Sequence, residues 1–461
     1  MNICKALPLS ALVFAGGINM IDAQQKPNVV IILADDLGWG DVGYHGSEIP
    51  TPNIDRIARE GIELDRYYVA PISSPTRAGL MTGRYPSRFG FREAVIPPWR
   101  NVGLPEGERT IADVLGENGY PNRAIIGKWH LGHSRKAFYP INRGFTYFYG
   151  HLNGAIDYFS HKRDGELDWH ENWESNYDEG YSTDLITDKA VEQIGKYADE
   201  GPFFIYVAYN APHTPFQAPE DEIAKHIPLD KFRAIENQKE RDRWIYTAMV
   251  TRMDSGIGRI WDALEESGQL DNTIVLFSSD NGGDLAASSN APLRGTKFTE
   301  WDGGVRVPAA IYWKNGFKNG RKLEKQVMGF VDILPTLADI IGVKDRPEPA
   351  YDGISMYSVL KGRKDHIDRD MYLGCGALVN SDWKLILTGR NRKMPKKDFL
   401  VRYADDPYET KNNIDDSPEV ARRMKEIVVK YDTITPAYPE EPYGHGSKGF
   451  VAPDEWRVTK P

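Results

Sequence analysis

The chain has 461 residues, 41% of them hydrophobic, which is enough to bury a large core and to form two domains or subdomains. Its 57 basic and 66 acidic residues leave a net charge of −9, which speaks against non-specific nucleic-acid binding but not against a local basic pocket for an anionic substrate. Eleven Trp and 24 Tyr supply faces of the kind a carbohydrate cleft stacks on, although most such rings belong to cores and interfaces.

Residues 1–23 read as a secretory signal: Lys5 is the charged start, Ala6 to Ile18 the short apolar run, and Ala23 the end of a small-residue cleavage site. That run is too short to span a membrane and nothing later approaches one, so export to a bacterial periplasm is expected, with secretion as the other outcome. Cys4 precedes the run and is not placed like a lipoprotein cysteine. Cys375 is then the sole cysteine of the mature chain, and no intrachain disulfide is expected.

Asn28 to Ala34 is a continuous apolar run, the mark of a central parallel strand. It ends in Asp35 and Asp36, adjacent acids that repel unless a cation sits between them. An amphipathic helix starts at Pro52, and a strand over Tyr67 to Val69 leads to Ser73-Ser74-Pro75-Thr76-Arg77, continuing to Gly83-Arg84. That stretch predicts a short helix capped by Ser74, with Pro75 at its first position and Gly83 at its end. Ser73 then lies just ahead of a helix N-terminus, where free N–H groups favour an anion, and Arg77 adds a planar cation. Together these suit phosphoryl or sulfuryl transfer. A helix over Thr110 to Leu115 precedes a strand, Arg123 to Gly127, that runs into Lys128-Trp129-His130.

Residues 133–180 are rich in Tyr, Trp, His, Asn and Asp and show little periodicity, so a long specificity insertion is expected. His133, His151, Asn153, Asp157, Tyr158 and His161 are its candidate sugar contacts. A helix follows from Thr183. A third buried strand, Phe203 to Tyr209, leads to a loop in which Pro212 and Pro215 flank His213. Residues 216–243 are polar, as a lid or surface segment would be, and Tyr246 to Leu264 is a long amphipathic helix. A fourth strand from Thr273 ends at Asp280-Asn281-Gly282-Gly283, which offers two more oxygen ligands beside permissive backbone. Arg294 and Lys297 follow, ahead of a strand over Ala309 to Trp313 and a helix from Val331. Asp352 to Ile354 closes a main domain spanning 24–364. Over 365–461 short strands with turns between them predict an antiparallel sheet, with a helix from Glu419 to Tyr431 packed on it and an extended tail from Pro436.

Four strand-like runs thus end in Asp35/Asp36, Lys128/His130, His213 and Asp280/Asn281. In open α/β sheets ligands bind beyond the carboxyl ends of the strands, so these residues are expected at one site. Three Asp and one Asn make an all-oxygen ligand set, and no Cys or His cluster competes for zinc or iron. The predicted fold is α/β, with a large, mostly parallel sheet between helices and a smaller C-terminal antiparallel sheet plus helix.

Ser73-x-Pro75-x-Arg77 with Leu80-Met81-Thr82-Gly83-Arg84 resembles the signature of the type I sulfatases of the alkaline-phosphatase superfamily. Asp35-Asp36, Gly127-Lys128-Trp129-His130, His213 and the segment around Lys297 resemble further family segments in the expected order, over about Lys26 to Ile414. The resemblance implies that a maturase oxidises Ser73 to Cα-formylglycine, whose hydrate attacks sulfur. It implies Ca²⁺ rather than Mg²⁺, held by Asp35, Asp36, Asp280, Asn281 and the modified residue 73. It gives Arg77, Lys128 and Lys297 the task of neutralising the sulfate, His213 that of protonating the leaving oxygen, and His130 that of taking a hydroxyl proton. The segments near Lys128, Asn153 and Arg294 resemble the arylsulfatase B-like branch, which implies 4-O-sulfated galactose or N-acetylgalactosamine in a glycan and adds Arg294 to the sugar-binding candidates. Two rivals stand beside this reading. One is a phosphomonoesterase or phosphonate hydrolase with Ser73 as direct nucleophile. The other is a non-catalytic protein that binds sulfated glycans.

Overall fold

The computed structural model describes residues 26–343, 349–388 and 396–457, so the expected signal segment lies outside it. The strands in chain order are β1 Asn28–Ala34, β2 Ile62–Glu63, β3 Tyr67–Tyr68, β4 Asn122–Lys128, β5 Tyr147–His151, β6 Lys162–Arg163 and β7 Glu166–Leu167. They continue with β8 His170–Glu171, β9 Glu174–Ser175, β10 Phe203–Ala208, β11 Thr273–Ser279, β12 Ala309–Tyr312, β13 Arg321–Lys322 and β14 Met328–Gly329. Ten of them form one sheet in the order β13-β2-β12-β11-β1-β10-β4-β5-β8-β9. Its centre, β11-β1-β10-β4-β5, is parallel throughout. β12 and β8 run antiparallel at either side.

The apolar runs are continuous because both faces of the sheet are covered. Successive side chains of β1 alternate between two cores. Val29, Ile31 and Leu33 pack with the helices α2 Ser73–Thr82, α3 Ile111–Glu117 and α8 Ile333–Ile340. Val30, Ile32 and Ala34 pack with α1 Pro52–Glu60, α4 Ser182–Tyr197 and α7 Gln238–Glu266. Thr110 caps α3 in a reciprocal box with Asp113.

The polar segment 216–243, expected as a lid or surface segment, is largely at the surface. It contains the short helices α5 Glu220–Ala224 and α6 Leu229–Arg233, whose Ile223 and Phe232 are buried with Ala248 of α7. The supposed unpatterned insertion contains β5, a fifth parallel strand, and two small antiparallel pairings, β6 with β7 and β8 with β9.

A second, antiparallel sheet of four strands follows: β15 Met371–Gly374, β16 Ala377–Val379, β17 Trp383–Ile386 and β18 Phe399–Arg402. The helix α9 Pro418–Asp432 buries Met424 and Val428 in the same core as Leu378, Leu385 and Leu400. The tail then turns back over the larger unit. Ala437 N–H donates to the Arg88 carbonyl, Arg92 pairs with Glu440, and Trp99 Nε1 donates to the Tyr443 carbonyl. Trp456 is buried and donates to the Arg163 carbonyl. Among the described residues no helix is long and apolar enough to cross a membrane.

Candidate active site

β11, β1, β10 and β4 are consecutive neighbours in the sheet and parallel, so their four polar carboxyl ends open onto one place. α2 aims its N-terminus there. The helix starts two residues earlier than expected: Ile72 is its N-cap, Ser73 its first residue, and Ser74 does not cap it. Ser74 Oγ instead donates to the His130 carbonyl at 3.0 Å and accepts from Ile96 N–H at 3.1 Å, tying the helix start to two neighbouring segments. Gly83 ends the helix with φ of 68°, a conformation that suits Gly.

Ser73 Oγ lies 3.3 Å from Asp35 Oδ1 and 3.3 Å from Asn281 Oδ1. One hydroxyl proton cannot serve both acceptors, so oxygen lone pairs converge without protons to match. Asn281 Nδ2 donates to Asp36 Oδ1 at 2.7 Å, and Asp36 N–H donates to Asp280 Oδ1 at 3.2 Å. Three cations compensate the three buried acids. Arg77 directs Nε at 3.0 Å and Nη2 at 2.7 Å to Asp280 Oδ2, and Nη2 is 3.6 Å from Asp35. Lys128 Nζ binds Asp35 Oδ2, and Lys297 Nζ binds Asp36 Oδ2 at 2.7 Å. His213 Nε2 is 3.6 Å from Asp36 Oδ2.

The balance is uneven. Burial and the Asp280 charge push the Asp35 carboxyl up to about 8 against the pull of Lys128 and Arg77. Burial opposes ionisation of Asp36 and Asp280 as well, but Lys297 and His213 hold Asp36 low, and Arg77 and Lys128 hold Asp280 low. Burial lowers Lys128, whereas Asp36 and Asp35 raise Lys297 above its ordinary value in spite of burial. Burial, with Lys128 and Arg77 nearby, keeps His130 far down, and burial brings His213 to about 3. The under-compensated Asp35 and the converging oxygens fit a hard divalent cation. Oxygens of Asp35 and Asp36 and a ring nitrogen of His213 fall within 4.8 Å of one another.

Above the site opens a cavity of about 330 Å³. Ser73, His130, His213 and Lys297 form its floor. Its walls come from residues 93–98, Gly154, Ala155, Arg163, Phe298 and Tyr443.

None of the seven expected sugar contacts lines this cavity. His133, His151 and His161 are buried and bond the carbonyls of Pro98, Asn153 and Gly180. Asn153 Nδ2 donates to Asp168. Asp157 accepts from the N–H groups of Phe159 and Ser160 and from Gln217, organising its own turn. Tyr158 Oη lies 2.6 Å from the Asn210 carbonyl and 2.8 Å from that of His213, so it holds the His213 loop instead of a sugar. Arg294 stacks on Trp301, 3.7 Å from the ring centroid, and donates to the Glu409 carbonyl. The wall residues Glu93, Arg163, Phe298 and Tyr443 escaped the sequence reading. They sit in loops, in the two-residue strand β6 and in the tail, where no periodicity marks a shared face; an apolar Val95-Ile96-Pro97-Pro98 stretch between polar segments is the one local signal.

A cation site at the carboxyl end of a parallel sheet, beside a helix N-terminus and three buried cations, is the apparatus of an enzyme that transfers a tetrahedral oxyanion. The comparisons with known proteins agree. A family model described as Sulfatase matches residues 27–343. Mouse arylsulfatase J is 37% identical over 73% of this chain and 56% of its own length. Mouse N-acetylgalactosamine-6-sulfatase is 32% identical over 81% of this chain and 73% of its own. The solved structure of Ps i-CgsB in complex with k-i-k-neocarrahexaose superposes with a TM-score of 0.79 at 32% identity, covering 90% of this chain and 95% of that one. The chain belongs to the sulfatase family, hydrolases of sulfuric esters.

Proposed function

We propose that this protein is an exported hydrolase of sulfate esters on glycans, acting through a formylglycine formed from Ser73, with 4-O-sulfated galactose or N-acetylgalactosamine as the preferred target. The observation that carries it is Ser73 on the cavity floor, at a helix N-terminus, between Asp35 and Asn281 and beside Arg77, Lys128 and Lys297. The glycan class is supported by relatives named for sulfated sugars and by the neocarrahexaose complex of Ps i-CgsB. Residues 24–364 form the catalytic domain in this reading, and 365–461 a C-terminal subdomain with its tail.

A matured residue 73 supplies a hydrated aldehyde: one hydroxyl as the nucleophile and a second by which sulfate is expelled. Asp35, Asp36, Asp280 and Asn281 would hold Ca²⁺, which supplies Lewis-acid polarisation. The chain's own groups do the rest. Arg77 and Lys128 keep the floor positive beside the buried acids. Lys297, held charged by Asp36, neutralises the sulfate as charge builds on it. Lys297, held charged, is the ready proton donor for the departing sugar oxygen; His213, neutral through burial in the empty site, joins it as a donor when the anionic sulfate beside it favours its protonated form, and His130, neutral as well, accepts a proton.

The test starts with the tryptic peptide Tyr67 to Arg77 from protein co-produced with a maturase. Loss of two hydrogens at Ser73, followed by sulfate release from a panel of defined sulfated saccharides, is expected. Turnover by unmodified protein would instead support a phosphatase-like Ser73 nucleophile. Release confined to 6-O- or 2-O-sulfated glucosamine would refute the 4-O assignment.

A further inference from the structure

The cavity walls above the proposed sulfate site carry more recognition chemistry than ester cleavage requires. Arg163 lines the cavity at the end of β6. Its Nε bonds Asp164 Oδ2 at 3.0 Å, and among the described residues its two terminal nitrogens have no protein partner. It also lies near enough to His130 to help lower that ring's basicity, after burial, Lys128, Arg77 and His213. The backbone at Arg163 is fixed: its carbonyl accepts from buried Trp456 at 2.8 Å, and Glu455 N–H reaches Glu166 on the paired strand. A guanidinium on an anchored hairpin, with a free fork, suits a planar or tetrahedral oxyanion.

Two other wall residues are exposed aromatics. Tyr443 is 47% and Phe298 42% exposed, unusual for rings beside a cavity in a protein whose other rings are mostly buried. Neither is loose. The Tyr443 carbonyl accepts from Trp99 and its ring packs edge-on against Trp99 at 4.9 Å, while Phe298 N–H donates to the Pro71 carbonyl at 2.9 Å. Glu93, also on the wall, pairs with Arg92 at 3.4 Å and would repel a second anion on its own side.

We infer that the cavity takes a glycan bearing a second anionic group, sulfate or carboxylate, bound by Arg163 while the scissile ester sits over Ser73 and sugar rings lie against Tyr443 and Phe298. The inference rests on the proposed sulfatase function and names its substrate class more closely: a polyanionic glycan.

The experiment compares matured full-length protein on three oligosaccharides of one backbone: one bearing a single scissile sulfate, one with a further sulfate on the neighbouring sugar, and one with a uronate there. An advantage in kcat/KM of about tenfold or more is expected for one of the two dianionic substrates, the size of one charge-assisted contact, and which one it is identifies the anion. Arg163→Ala should erase that advantage, chiefly through KM, and Arg163→Lys should keep part of it. Truncating this side chain leaves the hairpin's backbone anchor to Trp456 in place. Equal kcat/KM on all three substrates, or an advantage that survives Arg163→Ala, overturns the inference and leaves the sulfatase reading standing. No release from any of them by protein shown to carry formylglycine overturns both.

Discussion

Arg77 offers the sharpest test of how the floor is held together. Its side chain is fully buried, and both Nε and Nη2 converge on one oxygen of Asp280, itself fully buried, with Asp35 3.6 Å away. Arg77→Met keeps much of the volume and removes the charge. It strands Asp280 and takes away one of the cations that partly offset Asp35, whose carboxyl already stands at about 8. Breaking a buried, hydrogen-bonded ion pair from one side costs about 3–5 kcal/mol. Asp35 can be neutral at neutral pH, so the loss should fall near the lower end of that range. The assay is urea unfolding of unmatured protein in chelator, followed at two probes. Asp280→Asn should rescue: in the double variant no unpaired charge remains, and the coupling should be about 2 kcal/mol or more. A loss below about 1 kcal/mol for Arg77→Met, or strict additivity with Asp280→Asn, would refute the account of a pair locked by burial.

Three further predictions follow from the same geometry. Ca²⁺ should raise the melting temperature of unmatured protein more than Mg²⁺ does, by the equivalent of about 2.7 kcal/mol at a hundred times its Kd, and Asp36→Asn should abolish most of that rise in calorimetry. Asp157 lies at about 2 because hydrogen bonds from Gln217, Ser160 and Phe159 outweigh the burial that would raise it. Its folded pKa is below the unfolded value of about 3.9, so its stabilisation is present above that pH and is lost as pH falls through about 2. Asp157→Asn should therefore flatten the acid limb of a stability profile between those values and leave the shape of the profile above about pH 5 unchanged. Lys384 is fully buried between Asp302 Oδ1 at 2.6 Å and Glu409 Oε1 at 2.8 Å. Lys384→Met should cost about 3–5 kcal/mol in unfolding and should reduce sulfate release as well, because the Asp302 N–H to Glu409 bond underlies the loop that carries Lys297.

The strand ends were legible for a reason particular to parallel sheets. β1, β4, β10 and β11 are covered on both faces, so each reads as an unbroken apolar run, and the first polar residue after each run marks the edge where ligands bind. The register between the strands needs no sequence signal once they lie side by side. β5 was missed because Tyr147-Phe148-Tyr149-Gly150-His151 ends in a buried His within a stretch rich in polar residues. The sugar candidates lie off the cavity for a different reason. His, Asn and Tyr in an aromatic insertion were read as ligand-facing, but a turn-rich segment beneath a site has backbone carbonyls to satisfy, and those side chains satisfy them. Tyr443 and Arg163 are 280 residues apart in the chain, and only the return of the tail brings them to one wall. No local pattern encodes such a juxtaposition.

That return path separates two tasks in evolution. The site is drawn from six points from Asp35 to Lys297, four at strand ends or a helix start and two in loops, and a change at most of them disturbs buried charge. One wall residue, Tyr443, belongs to a surface segment, residues 437–456, that is held by a few carbonyl contacts and by buried Trp456, which also anchors the Arg163 hairpin. Substitutions at the exposed positions of that segment meet little stability penalty, so this side of the cavity can change while the apparatus beneath it stays constant.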